Sequence, residues 1–194
     1  MEVSSSAIGA MRVGVQVISS HRKPLIEIYH QVHNRFGPEQ EYSLSSGHDG
    51  AKPETLKTRH QEIFIQFTMI NIGGERAENI KLSITGELKR EPPLDDFGDI
   101  FNRIYPQIAP GQIHYLFQFR DHDLNNYVRE GNVGTPNGLK QSSFTITVEY
   151  DAPKGLLNWL LSIPSKIRGK RQFSNTYTFS PYMVSGDLPP AEYA

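Results

Sequence analysis

Apolar residues in this chain recur at every second position, and that period constrains the fold more than any other feature. Val13, Val15 and Val17 alternate with Arg12, Gly14 and Gln16. Ile80, Leu82 and Ile84 alternate with Lys81, Ser83 and Thr85. Ile113, Tyr115, Phe117 and Phe119 alternate with Gln112, His114, Leu116 and Gln118. The cleanest case sets Phe144, Ile146, Val148 and Tyr150 against Ser143, Thr145, Thr147 and Glu149. Successive side chains of a strand point to opposite faces, so this spacing predicts strands with one buried face. The stretch from Ile63 to Ile70 is apolar on much of both faces, which predicts a central strand. Less regular candidates are Leu25, Ile26, Ile28, Tyr29 and Val32 after Pro24, and the stretch 173–184 with Tyr177 and Phe179 in phase. A parallel sheet needs a long helix between strands, and none is visible. The expectation is an all-β, antiparallel sandwich of about seven strands with long loop insertions and one short helix.

Between the strands lie polar stretches. Residues 34–60 carry Gly37-Pro38, Gly47, Gly50 and Pro53 and follow neither period, so they predict a long loop or embellishment. Residues 91–110 contain four prolines and a helical turn around Asp99 to Ile104. Pro110-Gly111 is a turn signal. Residues 121–140 form a second excursion. The 194 residues fit one domain, 1–194, whose N-terminal extension 1–60 either contributes strands to the sandwich or wraps around it.

The stretch from Phe67 to Leu82 resembles bacterial Ig-like domains of the cell-adhesion-related type. There a strand ends in an Asn-x-Gly turn, and an Ala and a further Asn lead into an alternating strand. Asn71, Gly73, Ala77 and Asn79 match that pattern. Asn and Gly tolerate left-handed backbone, and a small Ala packs where the chain crosses between sheets. Ile108-Ala109-Pro110-Gly111-Gln112 is similar to the family's Pro-Gly turn, and Phe144 to Tyr150 to its penultimate strand. The resemblance covers roughly 62–150. It implies an Ig-like fold and an interaction or spacer module, with no catalytic residues to carry over.

Composition narrows the chemistry. There is no cysteine, which removes disulfides, thiolate metal sites and cysteine nucleophiles. Lys plus Arg is 20 and Asp plus Glu is 21, a balance that argues against nucleic acid as a partner. Glu2 and three serines replace the basic start of a signal peptide, so the expected compartment is the cytoplasm, with the periplasm as the alternative. No nucleophile elbow, phosphate-binding loop or His-Glu-x-x-His pair is present. His30 and His33, three apart on a strand, point to opposite faces. His114, opposite its strand's apolar set, reads as exposed. Asp121-His122-Asp123 reads as a polar turn, because three neighbours mostly diverge and a metal needs converging ligands. Asp95, Asp96 and Asp99 read as a solvated loop. The chain is therefore expected to be no enzyme and to use no cofactor or metal. A hydrolase reading needs Asp95, Asp96 or Asp99 to meet Asp121 or Asp123 in one pocket.

The most unusual segment runs from Lys154 to Arg171. Leu156, Leu160, Ile163 and Ile167 fall at near-helical spacing beside Leu157, Trp159 and Leu161, and Pro164 ends any helix at Ile163. Lys166, Arg168, Lys170 and Arg171 follow. The segment reads as a cap on the sandwich's open end, as a protein-docking surface, or as a peripheral membrane contact in which Trp and leucines enter the headgroups and cations meet anionic lipid. The expected function is a non-catalytic module that binds a protein partner through Leu157, Trp159, Leu161, Lys166, Arg168, Lys170 and Arg171, together with loops 87–107 and 121–141. The alternatives are a membrane-surface-associating Ig-like protein and a jelly-roll structural or carbohydrate-binding protein.

Overall fold

The computed structural model describes residues 23–44, 54–91, 97–130, 133–154, 163, 167, 169–186 and 188–194. The alternating Val13, Val15 and Val17 lie outside these residues. The described chain is all-β. One sheet holds β1 (Ile26–Leu44), β2 (Glu54–Asn71), β5 (Ile113–Arg120) and β10 (Glu192–Tyr193), in the order β10-β1-β2-β5. The other holds β3 (Ala77–Gly86), β4 (Ile104–Ile108), β8 (Phe144–Asp151) and β9 (Phe173–Phe179), in the order β4-β3-β8-β9. A separate hairpin joins β6 (Asn125–Glu130) to β7 (Val133–Leu139), and the short helix α1 (Asp121–Leu124) leads into it. All pairings are antiparallel except the two-residue β10, which lies parallel to β1.

The two four-stranded sheets face one another across an aromatic core. Phe67 of β2 stacks on Phe117 at 4.9 Å between ring centres. It meets Phe144 and Phe179 of the opposing sheet edge-on at 5.3 and 4.9 Å. Edge-to-face and offset contacts of this kind suit the ring quadrupoles and add to the burial of large apolar area. β8 is buried at each alternate residue from Phe144 to Tyr150, and β2, between β1 and β5, is buried on both faces, as the sequence predicts.

Three features depart from the sequence expectation. The stretch 34–60 is not a loop in its described parts. β1 continues through Gly37-Pro38 by a bulge, where the register steps from Phe36–Gln61 to Glu39–Arg59, and then pairs with β2 out to Leu44–Glu54. Bulges admit an extra residue and a proline without ending the ladder. The described residues hold ten strands, because β4, the β6–β7 hairpin and β10 add to the six expected strands that are described. In β5 the pairing steps from Phe67–Phe117 to Thr68–Tyr115, so Leu116 is the extra residue of a second bulge. The alternation changes phase there. Ile113 and Tyr115 turn outward and are exposed, while Leu116 and Phe117 are both buried. His114 is correspondingly half-buried and meets Tyr105 of the opposing sheet edge-on at 5.0 Å, where an exposed histidine was expected.

The Asn71–Asn79 crossover is built differently from a simple left-handed turn. Asn71 is fully buried, and its side chain satisfies four backbone groups. Oδ1 accepts from the N–H of Leu25 (3.2 Å) and Gly73 (3.0 Å), and Nδ2 donates to the carbonyls of Glu75 (2.7 Å) and Ile108 (3.0 Å). Gly73 is required for space: a Cβ there would collide with the backbone of Lys23, Pro24 and Leu25. Asn79 is the residue that takes the left-handed conformation, at φ 52°. Ala77 is fully buried. The turn Ala109-Pro110-Gly111-Gln112 closes with Gln112 N–H donating to Ala109 O at 3.0 Å, and Gly111 supplies the positive φ of 74°.

Candidate functional site

The segment expected to bind a partner leaves β8 at Asp151. Of its seven named residues, Leu157, Trp159, Leu161, Lys166 and Arg168 lie outside the described residues. Lys170 is exposed. Arg171 is not free: its Nη1 lies 2.9 Å from Asp151 Oδ2, while Gln172 N–H donates to Asp151 Oδ1 at 3.1 Å. Gln172 Oε1 in turn accepts from Ala152 N–H at 3.3 Å. Asp151 thus fastens the two ends of the segment together where it leaves β8 and rejoins β9. Ile167, within the segment, is 80% exposed.

The loops named with it are largely packed. Leu88 is buried, and Phe97, Ile100 and Phe101 lie against the core, with Phe97 4.6 Å from Phe117. Lys140 Nζ bonds Glu91 Oε1 at 2.7 Å. Asp123 is buried, and both its oxygens serve the backbone: Oδ2 accepts from Arg120 N–H and Oδ1 from Glu91 N–H, each at 2.7 Å. Charge-assisted bonds to backbone donors hold α1 and the chain at Glu91 together. Asp121 accepts from Asn125 Nδ2 at 2.8 Å. Asp99 lies exposed in the 3-10 turn Gly98–Ile100, and Asp95 and Asp96 fall outside the described residues. Among the described residues, no three His, Asp or Glu side chains converge as metal ligands. The large apolar side chains exposed in these loops are Ile104, and Tyr127 and Val128 on the β6–β7 hairpin.

His30 and His33 do face opposite ways. His33 stacks on Phe64 at 4.7 Å, on the face of β1 turned away from the core, and burial lowers its pKa. His30 points into the sandwich, 5.1 Å from Phe179 and 5.9 Å from Phe67, and burial lowers its pKa too. It belongs to a constellation that periodicity did not single out. On the flank where β1 and β9 are neighbours lies a cavity of about 400 Å³. Its lining includes Ile28, His30, Phe67, Tyr177, Phe179 and the exposed Met183, with the threonines of β9 beside them. A polar clasp binds the sheets beside it. Tyr177 Oη and Asn175 Nδ2 donate to Ile26 O at 2.7 and 3.0 Å, and Ile26 N–H and Asn175 Nδ2 donate to Tyr150 Oη at 3.3 and 3.2 Å. Burial, with Glu27 and Tyr150 nearby, pushes the Tyr177 phenol up to about 12, so it stays a donor. The sequence signal for this flank is a histidine in the inward set Ile26, Ile28, His30, Val32.

The chain was compared with protein-family models, curated proteins and solved structures, and it matches none of them.

Proposed function

We propose that this chain is a non-catalytic interaction module with an Ig-like sandwich of the bacterial cell-adhesion-related type, and that it binds a protein partner. The observation that carries the reading is how the polar side chains are used. Asn71, Asp123, Asp151, Arg171, Asn175 and Tyr177 are each committed to backbone groups or to one another within the fold. On the connections, Ile167, Lys170, Tyr127 and Val128 are accessible apolar and basic groups. A rigid sandwich carrying recognition groups on its connections is the usual arrangement of a binding domain. The Ig-like assignment draws support from the chain trace. β1, β2 and β5 share one sheet and β4, β3, β8 and β9 the other, with the crossover at Asn71, Gly73, Ala77 and Asn79. Recognition would rest on aromatic anchoring by Trp159 with Leu157 and Leu161, and on steering by Lys166, Arg168 and Lys170. Arg171 holds the base of the segment.

The test replaces Leu157, Trp159 and Leu161 by Ser. The expected result is loss of co-purification with the native partner by at least about tenfold, with an unchanged circular dichroism spectrum and melting transition. Unfolding of the triple variant would make the segment part of the core and contradict the reading.

A further inference from the structure

The flank between β1 and β9 has two properties that belong together. β9 ends its sheet, and among the described residues no strand pairs with its outer side. Every second residue of such an edge directs its N–H and C=O away from the sheet, a ladder that only another extended backbone satisfies in full. On this side of β1, β10 pairs only with Arg35 and Phe36, and among the described residues no other strand pairs there. The cavity lies between these two edges. No Asp, Glu, Lys or Arg lines it, and its lining is mostly aromatic and aliphatic. Phe179 packs on Phe67 at 4.9 Å and on His30 at 5.1 Å, so the three rings form one continuous apolar part of the lining. A cavity of about 150 Å³ already takes a benzene ring, and this one has about 400 Å³.

The same flank already captures an extended segment. Glu192–Tyr193 lies parallel to β1, Ala194 N–H donates to Phe36 O at 3.1 Å, and Tyr193 stacks on Phe36 at 5.4 Å. Backbone pairing plus one aromatic ring laid against the strand is how this edge holds the chain's own C-terminal residues.

We propose that the β1–β9 flank receives an extended segment of a partner protein, which pairs its backbone with β9 and seats one large aromatic side chain in the cavity lined by His30, Tyr177, Phe179 and Met183. This rests on the reading of the chain as a protein-binding module and names how one partner segment would be held. Strand addition supplies affinity through the main chain, and the cavity supplies specificity for the side chain. Burial keeps the His30 ring neutral near pH 7, so an uncharged aromatic is favoured over a carboxylate. Met183 lines the cavity and is 59% exposed, which makes it the residue to change without disturbing the core.

The experiment titrates the full chain with the blocked peptide acetyl-Thr-Thr-Val-Trp-Val-Thr-Thr-amide, following backbone amide NMR shifts. The same peptide with Ala in place of Trp, and N-acetyltryptophanamide, serve as controls. The expected result is saturable shifts confined to 173–179 and the neighbourhood of His30. The Ala peptide and the Met183→Arg variant should each bind at least about tenfold more weakly. Absence of binding, shifts centred elsewhere, or N-acetyltryptophanamide binding as tightly as the peptide would overturn the proposal. So would binding that emerges only after removal of residues 1–22, which would make the chain's own N-terminal segment the occupant. If the native partner is lost on changing Leu157, Trp159 and Leu161 but retained by Met183→Arg, the interaction-module reading stands and this proposal falls.

Discussion

Asn71 shows what a single residue does in this fold. It is fully buried at the end of the central strand, where β2 leaves one sheet for the other, and its amide answers two N–H groups and two carbonyls. Asn71→Ala leaves all four without their partner. Each buried unsatisfied group costs roughly 1–3 kcal/mol, and some rebond to water, so the loss should be about 3 kcal/mol or more, read as a lower urea midpoint at constant slope. The sequence marked Asn71 and Gly73 as turn residues but not the full reason, since the bonds to Leu25 and Ile108 and the close approach by 23–25 are non-local. Three histidines give a second prediction. His30, His33 and His114 all have pKa values lowered by burial from the ordinary 6.5, with Arg35 and Arg103 reinforcing the shift at His33 and His114 and Glu192 opposing it at His33. The unfolded chain therefore takes up protons near pH 6.5 while the folded chain resists them. Stability is complete above that pH and falls as the pH drops through the histidine range. Urea unfolding at about pH 7.5 should show a higher midpoint than at about pH 5.5, where most carboxylates still carry charge. His30→Asn should flatten the slope, and equal midpoints would contradict the burial of these rings.

At the scale of elements, legibility followed burial. β2, β3 and β8 were readable because at least one face of each packs against the opposing sheet, which forces apolar residues to every second position. The outer halves of β1 and β2 were not readable. From Glu39 to Tyr42 and from Thr55 to Thr58 every described side chain is exposed, so neither face selects apolar residues, and the ribbon reads as polar loop. Lys57 bridges Glu39 and Glu41 across it at 3.0 and 3.2 Å, a pattern visible only once the register is known. β5 was found with the correct limits but the wrong facing, because one extra residue at Leu116 reverses the phase of 113–115. Of the named binding residues, Arg171 turned out to close a junction with Asp151, and sequence spacing carries no signal for a pairing across twenty residues.

The molecule as a whole is a sandwich with two unlike flanks. On the β4–β5 side, Tyr105 and His114 meet across the gap and Arg103 lies over the Tyr105 ring at 4.5 Å. On the β1–β9 side, the clasp at Ile26 holds the sheets together beside the cavity. A composition near electrical neutrality and without cysteine leaves such a chain to be held by its core, and the Phe67 cluster supplies that core. The central claim is that β9 presents a strand edge with which no other described strand pairs. Native-state amide hydrogen exchange on the free full-length chain tests it most directly. The account predicts the slowest exchange in β2 and β8. It predicts alternation within Phe173–Phe179, with amides bonded to β8 protected and the intervening amides exchanging at least about a hundredfold faster. Uniform protection across Phe173–Phe179, matching that of β8, would mean that the edge is already covered in the free protein and would contradict the account.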